Sequence, residues 1–193
     1  MSDQTPPLSP WTILSTETQY DNPWIKVVEH QVTNPAGNPG IYGVVEFKNT
    51  AVAVIPVDDQ GHTWLVGQYR FPTKTYEWEV PEGGAPTGEP TIDCAARELK
   101  EEVGLSASHY HPILEMQLSN CVSTELTASF VATGITHGEA EPEETEQLAV
   151  RRLPLRDAFE MVHRGEIRDA MSVASLLRLE LMLARGEIEI AGV

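Results

Sequence analysis

The chain has 193 residues, enough for one domain with a substantial hydrophobic core and some additional length. Its 29 acidic and 13 basic residues give a net charge of -16. This balance argues against binding to nucleic acid or to an anionic membrane surface, because both need a basic patch. A small substrate that contains phosphate stays compatible with the charge if metal ions mediate the contact.

The sequence shows no sign of secretion or membrane insertion. No stretch is long and apolar enough to cross a bilayer, and Met1–Pro10 lacks the basic start and apolar run of a signal peptide. Two cysteines, Cys94 and Cys121, are too few for a disulfide framework. We therefore expect a cytoplasmic protein with reduced thiols, whose residues 1–10 form a flexible tail.

The segment 11–50 is predicted to be a β-rich N-terminal unit. Strands rich in Val, Ile and aromatic residues are predicted at Trp11–Glu17, Trp24–Thr33 and Ile41–Lys48. The turn-rich stretch Asn34–Gly40 predicts a hairpin between the last two strands. We expect this segment to contribute to dimerisation and substrate contacts.

Strands and helices alternate over residues 51–193, which we predict to form the catalytic domain. The predicted strands are Ala51–Val57, His62–Arg70, Trp78–Val80, His111–Leu118, Thr127–Thr133 and Leu148–Leu153. The predicted helices are Thr91–Val103, Leu155–Arg164 and Asp169–Arg185. Gly104 is placed to end the first helix in a left-handed conformation. The pattern predicts an α/β fold in which a mixed β-sheet lies between α-helices, preceded by the β-rich segment.

Three glutamates share the polar face of the predicted helix Thr91–Val103. Glu98 lies three residues before Glu101 and four before Glu102, and each like-charged pair at such spacing destabilises a helix by about 0.2–0.5 kcal/mol. They also lie in its C-terminal half, where the helix dipole disfavours negative charge. The cluster is either a solvated helix face or a site for a hard cation such as Mg²⁺ or Mn²⁺, since carboxylate oxygens suit these ions.

The glutamates belong to a longer motif that resembles the Nudix box, G-x5-E-x7-R-E-U-x-E-E-x-G-U, where U is apolar. The 23 residues from Gly83 match every defined position and fall on a loop followed by a helix, the context that the motif requires. The matching residues are Gly83, Glu89, Arg97, Glu98, Leu99, Glu101, Glu102, Gly104 and Leu105. The chain is therefore identified as a member of the Nudix hydrolases.

The resemblance implies hydrolysis of a nucleoside diphosphate derivative with Mg²⁺ or Mn²⁺ and an attacking water. It implies that Glu98 and Glu102 are the principal metal ligands and that Glu101 is a further ligand or orients water. Glu82 would supply its backbone carbonyl to a metal, and Arg97 would orient a ligand carboxylate. These ions would neutralise the pyrophosphate and lower the pKa of bound water.

Flanking residues resemble the Nudix branch that acts on ADP-ribose and related nucleoside diphosphate sugars. The similar stretches are Gly67–Arg70 and Trp78–Gly84. The resemblance places Arg70, Glu79 and Gly83 at the substrate. The branch commonly forms a homodimer through its N-terminal strands, so a homodimer is expected here.

The general base of that branch is a glutamate in a loop after the central strands. The corresponding loop is Gly138–Glu146, and its distance from Leu148–Val150 makes Glu144 the best match, with Glu146 second. A solvated acidic loop is the alternative interpretation of these glutamates.

One departure from the branch leaves the substrate open. The branch usually has a proline within a Ser-Pro-Gly stretch about 15 residues past the box, whereas Leu118–Ser123 contains none. The alternatives are therefore another nucleoside diphosphate derivative, such as a dinucleoside polyphosphate, NADH or GDP-mannose, and a non-catalytic nucleotide sensor. The intact box and the lack of a basic region favour an enzyme.

Overall fold

The computed structural model describes residues 8–141 and 147–193 of the chain. They divide into two units. The N-terminal unit comprises the chain up to Lys48 together with Gln117–Glu125. The larger unit comprises Asn49–Met116 and Leu126–Val193. Within the described part of the chain, no helix has the length and apolar character needed to span a membrane.

The N-terminal unit is built on a three-stranded antiparallel sheet in the order β1-β2-β3. Its strands are β1 (Thr12–Asp21), β2 (Ile25–Thr33) and β3 (Pro39–Phe47). The predicted hairpin turn is present, because the Asn34 side chain accepts hydrogen bonds from the backbone N–H groups of Ala36 and Asn38. All ten side chains of β1 are exposed.

Residues 117–125 join this sheet although they follow it by about seventy residues in the chain. The N–H of Val45 donates to the Val122 carbonyl at 2.9 Å, and the N–H of Thr124 donates to the Val45 carbonyl at 3.0 Å. The Tyr42 hydroxyl donates to the Cys121 carbonyl. The stretch Leu118–Ser123, which lacks the proline of the Ser-Pro-Gly pattern, is therefore hydrogen-bonded to β3.

The larger unit contains seven strands and three helices among its described residues. The strands are β4 (Asn49–Pro56), β5 (His62–Arg70), β6 (Thr75–Glu79), β7 (Glu82–Pro86), β8 (Leu105–Gln117), β9 (Leu126–His137) and β10 (Ala149–Pro154). The helices are α1 (Thr91–Val103), α2 (Leu155–His163) and α3 (Ala170–Ala184). The strands form two sheets, β7-β4-β9-β8 and β10-β5-β6.

The four-stranded sheet lies between α1 and α3. Its central strands β4 and β9 are parallel, whereas β7 is antiparallel to β4, so the sheet is mixed. Val52 and Val54 share a buried cluster with Ala95 and Leu99 of α1. The alternate side chains of β4 point to the opposite face, where α3 packs on β4 and β9. The predicted α/β class and the β-rich N-terminal segment are therefore confirmed.

The predicted helix α1 has the expected bounds, and Gly104 ends it with φ of 70°. The glycine-rich stretch after Pro81 was expected to be a loop, but Glu82–Pro86 forms β7. A Cβ at Gly84 would lie 2.9 Å from Asn49 Nδ2, so the absence of a side chain allows β7 to pair closely with β4. β8 also begins at Leu105, directly after α1, rather than at His111.

Candidate active site

Two glutamates of α1 turn inward toward the start of β7. Glu98 and Glu102 are buried, and Glu102 Oε2 accepts a hydrogen bond from the Glu82 backbone N–H at 3.0 Å. They are one helical turn apart and therefore lie on the same face of α1. Burying two carboxylates on one helix face is unfavourable unless cations or hydrogen-bond donors balance their charge.

Gly83 leaves the space that the Glu98 carboxylate occupies. A Cβ built on Gly83 would lie 2.0 Å from both Cδ and Oε1 of Glu98. A Cβ at this distance would force the Glu98 carboxylate to move, so Glu98 lies against the backbone of β7 in this position because residue 83 is glycine. The structure thus brings Glu82, Gly83, Glu98 and Glu102 together.

Arg97 is the centre of a network of ion pairs on the other side of these glutamates. Its Nη1 donates to Glu98 Oε1 at 2.7 Å and to Glu101 Oε2 at 2.9 Å. Its Nε and Nη2 donate to the Glu89 carboxylate, each at 3.2 Å, and Nη2 also donates to the Gly84 carbonyl. The hydrogen bonds that Arg97 donates to Glu89, the charge of Glu98 and the bond to Glu101 raise the pKa of Arg97, despite partial burial. Arg97 therefore orients both Glu98 and Glu101.

A second arginine connects the sheet β10-β5-β6 to β7. Arg70, at the end of β5, donates through Nε and Nη2 to the Glu79 carboxylate, and through Nη2 to Glu82 Oε1. Burial by itself would lower the pKa of Arg70, but the bond to Glu79 and the charges of Glu82 and Glu79 raise it. Arg70 stays fully charged beside two carboxylates.

Glu82 has a buried carboxylate oxygen without a hydrogen-bond partner. Its Oε1 pairs with Arg70, whereas its Oε2 has no partner within the described part of the chain. Burial and the neighbouring charges of Asp169 and Glu79 raise the pKa of Glu82 well above its ordinary value. Carboxylate oxygens of Glu79, Glu82 and Asp169 also lie within 4.8 Å of one another. A buried carboxylate oxygen that is surrounded by other carboxylates, such as Glu82 Oε2, is suited to be a ligand of a cation.

The site as a whole fits a hard divalent cation. Its ligand groups are carboxylates, one buried carboxylate oxygen lacks a partner among the described residues, and a glycine makes room for another carboxylate. Mg²⁺ and Mn²⁺ prefer such oxygen ligands. The predicted site residues that the structure brings together are Arg70, Glu79, Glu82, Gly83, Arg97, Glu98, Glu101 and Glu102.

The acidic loop begins against the C-terminal end of α1. The N–H of Gly138 donates to the Gly104 carbonyl at 2.7 Å, and the N–H of Glu141 donates to the Glu101 carbonyl at 2.9 Å. The two predicted candidates for the general base, Glu144 and Glu146, lie outside the described residues.

Three residues of this region were not predicted as site residues. Asp169 caps α3 by accepting the Ser172 N–H at 2.7 Å, and it faces Glu79 and Glu82. Arg168 pairs with Glu77 of β6. The predicted start of a helix at Asp169 was the one sequence signal available, because the residues that meet here are about ninety positions apart.

Comparison with known proteins agrees with the motif and the fold. Residues 47–176 match the model of the NUDIX domain, and residues 11–45 match the nucleoside diphosphate sugar hydrolase N-terminal domain. An ADP-ribose pyrophosphatase of Mycobacterium tuberculosis is 34% identical over 168 residues, which cover 85% of this chain and 80% of that protein. An ADP-ribose pyrophosphatase of Bacillus subtilis is 32% identical over 133 residues, covering 68% of this chain and 72% of that protein.

A solved structure shares the fold. The crystal structure of an ADP compounds hydrolase superposes with a TM-score of 0.82 at 25% sequence identity. The match covers 95% of this chain and all of that one. The likeness therefore extends over the N-terminal sheet as well as over the helices and sheets of the larger unit.

Proposed function

Because the chain belongs to the Nudix family, we propose that it hydrolyses the pyrophosphate of ADP-ribose or a related nucleoside diphosphate sugar. The products are a nucleoside monophosphate and a sugar phosphate. The observation that carries the proposal is the convergence of Glu98 and Glu102 on the Glu82–Gly83 backbone, beside Arg70. The two relatives named as ADP-ribose pyrophosphatases support the substrate class.

The reaction depends on Mg²⁺ or Mn²⁺ in this proposal. Glu98, Glu102 and the backbone carbonyl of Glu82 would hold the ion, with Glu101 as a further ligand or a group that orients water. When bound, the ion neutralises the pyrophosphate and lowers the pKa of the attacking water. Arg97 donates to Glu98 and Glu101 and so holds both carboxylates in place.

Arg70 and Glu79 form the substrate-binding part of the proposal. Arg70 is a fixed cation, because Glu79 accepts from two of its nitrogens. A guanidinium suits a phosphate oxygen through paired hydrogen bonds. Arg70 would bind the pyrophosphate, and Glu79 would set the plane of the guanidinium. Gly83 belongs to this part of the proposal because its missing side chain lets the Glu98 carboxylate lie against the backbone beside Glu82.

Glu144 is the proposed general base, with Glu146 as the second candidate. The support is the position of the loop, whose first residues bond to the Gly104 and Glu101 carbonyls at the end of α1. The described start of the loop therefore lies at the end of the helix that carries the proposed metal ligands. A carboxylate near the attacking water would accept its proton.

We also propose a homodimer that forms through the N-terminal unit. β1 exposes every side chain, among them Ile13 at 59% and Leu14 at 63%. Exposed apolar side chains on an edge strand are typical of a surface that pairs with another chain. A cytoplasmic location is part of the proposal and is supported by the two free cysteines, since thiols stay reduced in that compartment.

A second candidate function is the hydrolysis of another nucleoside diphosphate derivative, such as a dinucleoside polyphosphate, NADH or GDP-mannose. The observation that favours it is the sequence of Leu118–Ser123, which lacks the proline of the ADP-ribose branch. In the structure, this stretch is hydrogen-bonded to β3. Comparing kcat/KM for ADP-ribose, other nucleoside diphosphate sugars, NADH and diadenosine polyphosphates separates the two candidates.

The metal assignment is tested by Glu102→Gln. The amide oxygen still accepts the Glu82 N–H, whereas the charge that holds a cation is lost. We expect kcat/KM for ADP-ribose with Mg²⁺ to fall by at least about 100-fold, more than outer-shell changes cause.

The matched control is Glu115→Gln, which makes the same change at an exposed position of β8 and should leave activity unchanged. Calorimetric titration with Mn²⁺ and thermal unfolding accompany the kinetics. Near-normal activity and Mn²⁺ affinity in Glu102→Gln would overturn the assignment.

A further inference from the structure

A cavity of about 530 Å³ opens in the larger unit beside Arg70. Its volume lies within the range of small-molecule sites, about 300–1,000 Å³. Polar groups line it, among them Arg70, Thr73, Thr75, Glu77, Glu79 and Arg168. Arg70 also bonds to Glu82, so the cavity adjoins the proposed metal and pyrophosphate site.

One face of β6 supplies the wall of this cavity. Thr75, Glu77 and Glu79 are at alternate positions of the strand, so their side chains point to the same side. The carboxylates of Glu77 and Glu79 are buried, with side chains 10% and 2% exposed. Each carboxylate holds one arginine, and β6 therefore presents two guanidinium groups in fixed positions.

Arg168 is the arginine farther from the metal site. Its Nε donates to Glu77 Oε2 at 3.2 Å and its Nη2 donates to Glu77 Oε1, so the pair is bidentate. The Arg168 side chain is 60% exposed even though its carboxylate partner is buried. Its remaining N–H groups are accordingly accessible to a ligand in the cavity.

The charges around the cavity suit a neutral, hydroxyl-rich group. Three carboxylates, Glu77, Glu79 and Asp169, face two guanidinium groups, so an anionic group gains no net attraction there unless a metal ion offsets the carboxylates, as proposed for the pyrophosphate at Arg70. A sugar hydroxyl both donates and accepts hydrogen bonds. Paired guanidinium and carboxylate groups offer both functions side by side, and the hydroxyl groups of Thr73 and Thr75 add two more.

We propose that this cavity binds the sugar of the nucleoside diphosphate sugar and that Arg168, positioned by Glu77, determines specificity for it. The inference rests on the proposed function. With the pyrophosphate at Arg70, a sugar attached to it enters the cavity and meets Arg168 next. Arg168 contacts the substrate but takes no part in the chemistry on phosphorus.

The test compares two non-hydrolysable ligands, one with the terminal sugar and one in which the sugar is replaced by an ionisable phosphate oxygen. These are the α,β-methylene analogues of ADP-ribose and of ADP, titrated by calorimetry in the presence of Mg²⁺. Arg168→Gln should raise the Kd of the ADP-ribose analogue about 10-fold or more, as expected for a lost hydrogen bond from a charged donor. The Kd of the ADP analogue should change less than about twofold. In kinetics with ADP-ribose, KM should rise while kcat stays near the wild-type value.

Two further variants keep the test decisive. Arg168→Lys retains the positive charge opposite the buried Glu77 but loses the planar guanidinium and its paired N–H donors. It should therefore also weaken binding of the ADP-ribose analogue without weakening binding of the ADP analogue. Arg156→Gln makes the same exchange at an exposed position of α2 and should bind both ligands as the wild type does.

The outcomes separate this inference from the proposed function. If Arg168→Gln and Arg168→Lys raise the Kd of both analogues equally, or of neither, the assignment of the sugar subsite is wrong, whereas the proposed pyrophosphate hydrolysis is unaffected. If the wild type hydrolyses no nucleoside diphosphate sugar, the proposed function itself fails.

Discussion

At the scale of single residues, the structure gives a geometric reason for the motif glycine at position 83. The Glu98 carboxylate occupies the place where the side chain of residue 83 would begin. The glycine thus allows the Glu98 carboxylate, a proposed metal ligand, to lie against the backbone of β7, which gives a physical reason for a glycine at this position of the motif.

The first prediction concerns this contact. Gly83→Ala should push the Glu98 carboxylate away from β7 and lower both Mn²⁺ affinity and kcat/KM by at least about 10-fold, as displaced ligands do in other metal sites. The measurements are Mn²⁺ titration and steady-state kinetics with ADP-ribose. The control is Gly43→Ala, since a Cβ at Gly43 meets nothing within 4 Å. Equal activity of the two variants would show that Glu98 does not need this space.

Sequence could predict the residues of α1 but not the partners that come from elsewhere. Glu98, Glu101, Glu102 and Arg97 share one helix, so their spacing carries the information. Glu77 and Arg168 are 91 residues apart and meet only because β6 lies beside the start of α3. The periodic spacing of residues within a helix or strand does not predict such a long-range contact.

At the scale of elements, α1 was predicted with its observed bounds because its apolar positions follow the helical period and Gly104 ends it. β7 was not predicted, because Gly83 and Gly84 are typical of loops. Its pairing with β4 depends on close approach to Asn49, which is a tertiary effect that propensity does not include.

The second prediction tests how α3 is anchored to the strand end that carries Glu79. The buried Ser172 Oγ accepts the Val80 N–H at 3.0 Å. Ser172→Ala leaves that buried donor without a partner, which costs about 1–3 kcal/mol of unfolding free energy. Chemical denaturation measures the loss. Ser106→Ala, on an exposed position of β8, should have almost no effect. Equal stabilities of the two variants would contradict the role of this bond.

The third prediction concerns the turn between β4 and β5, which depends on a charged Asp58. Burial by itself would raise the pKa of Asp58, but the N–H groups of His62 and Gln60 and the Arg152 guanidinium hold it below its ordinary value. The charged form therefore stabilises the fold above the unfolded-state pKa of about 4, and this contribution is lost as the pH falls through the lower folded-state pKa.

Asp58→Asn should accordingly lower the free energy of unfolding by about 1 kcal/mol at pH 7, a value that allows for solvent screening at Arg152. The difference from wild type should shrink as the pH falls below about 4. Urea denaturation at several pH values measures it. Asp59→Asn changes the charge equally at an exposed position and serves as the control. A loss that does not depend on pH would contradict the role of the charge.

At the scale of the whole molecule, the fourth prediction is the oligomeric state. Light scattering of the wild type should give a molar mass twice the monomer mass of 21.3 kDa. Leu14→Glu places a charge on the exposed apolar surface of β1 and should shift the population toward monomer, because a buried charge opposes association. The control is Lys74→Glu, which introduces a glutamate in the turn between β5 and β6 of the larger unit. A wild-type monomer at micromolar concentration would contradict the proposal.

The most direct test of the central claim is a substrate panel with and without metal. The protein is incubated with ADP-ribose, ADP-glucose, GDP-mannose, UDP-glucose, NADH and diadenosine polyphosphates in ¹⁸O-water, and products are identified by mass spectrometry. We expect Mg²⁺- or Mn²⁺-dependent release of a nucleoside monophosphate and a sugar phosphate, one of them labelled, with the highest kcat/KM for a nucleoside diphosphate sugar. No hydrolysis of any nucleoside diphosphate sugar, or the same rate in EDTA, would contradict it.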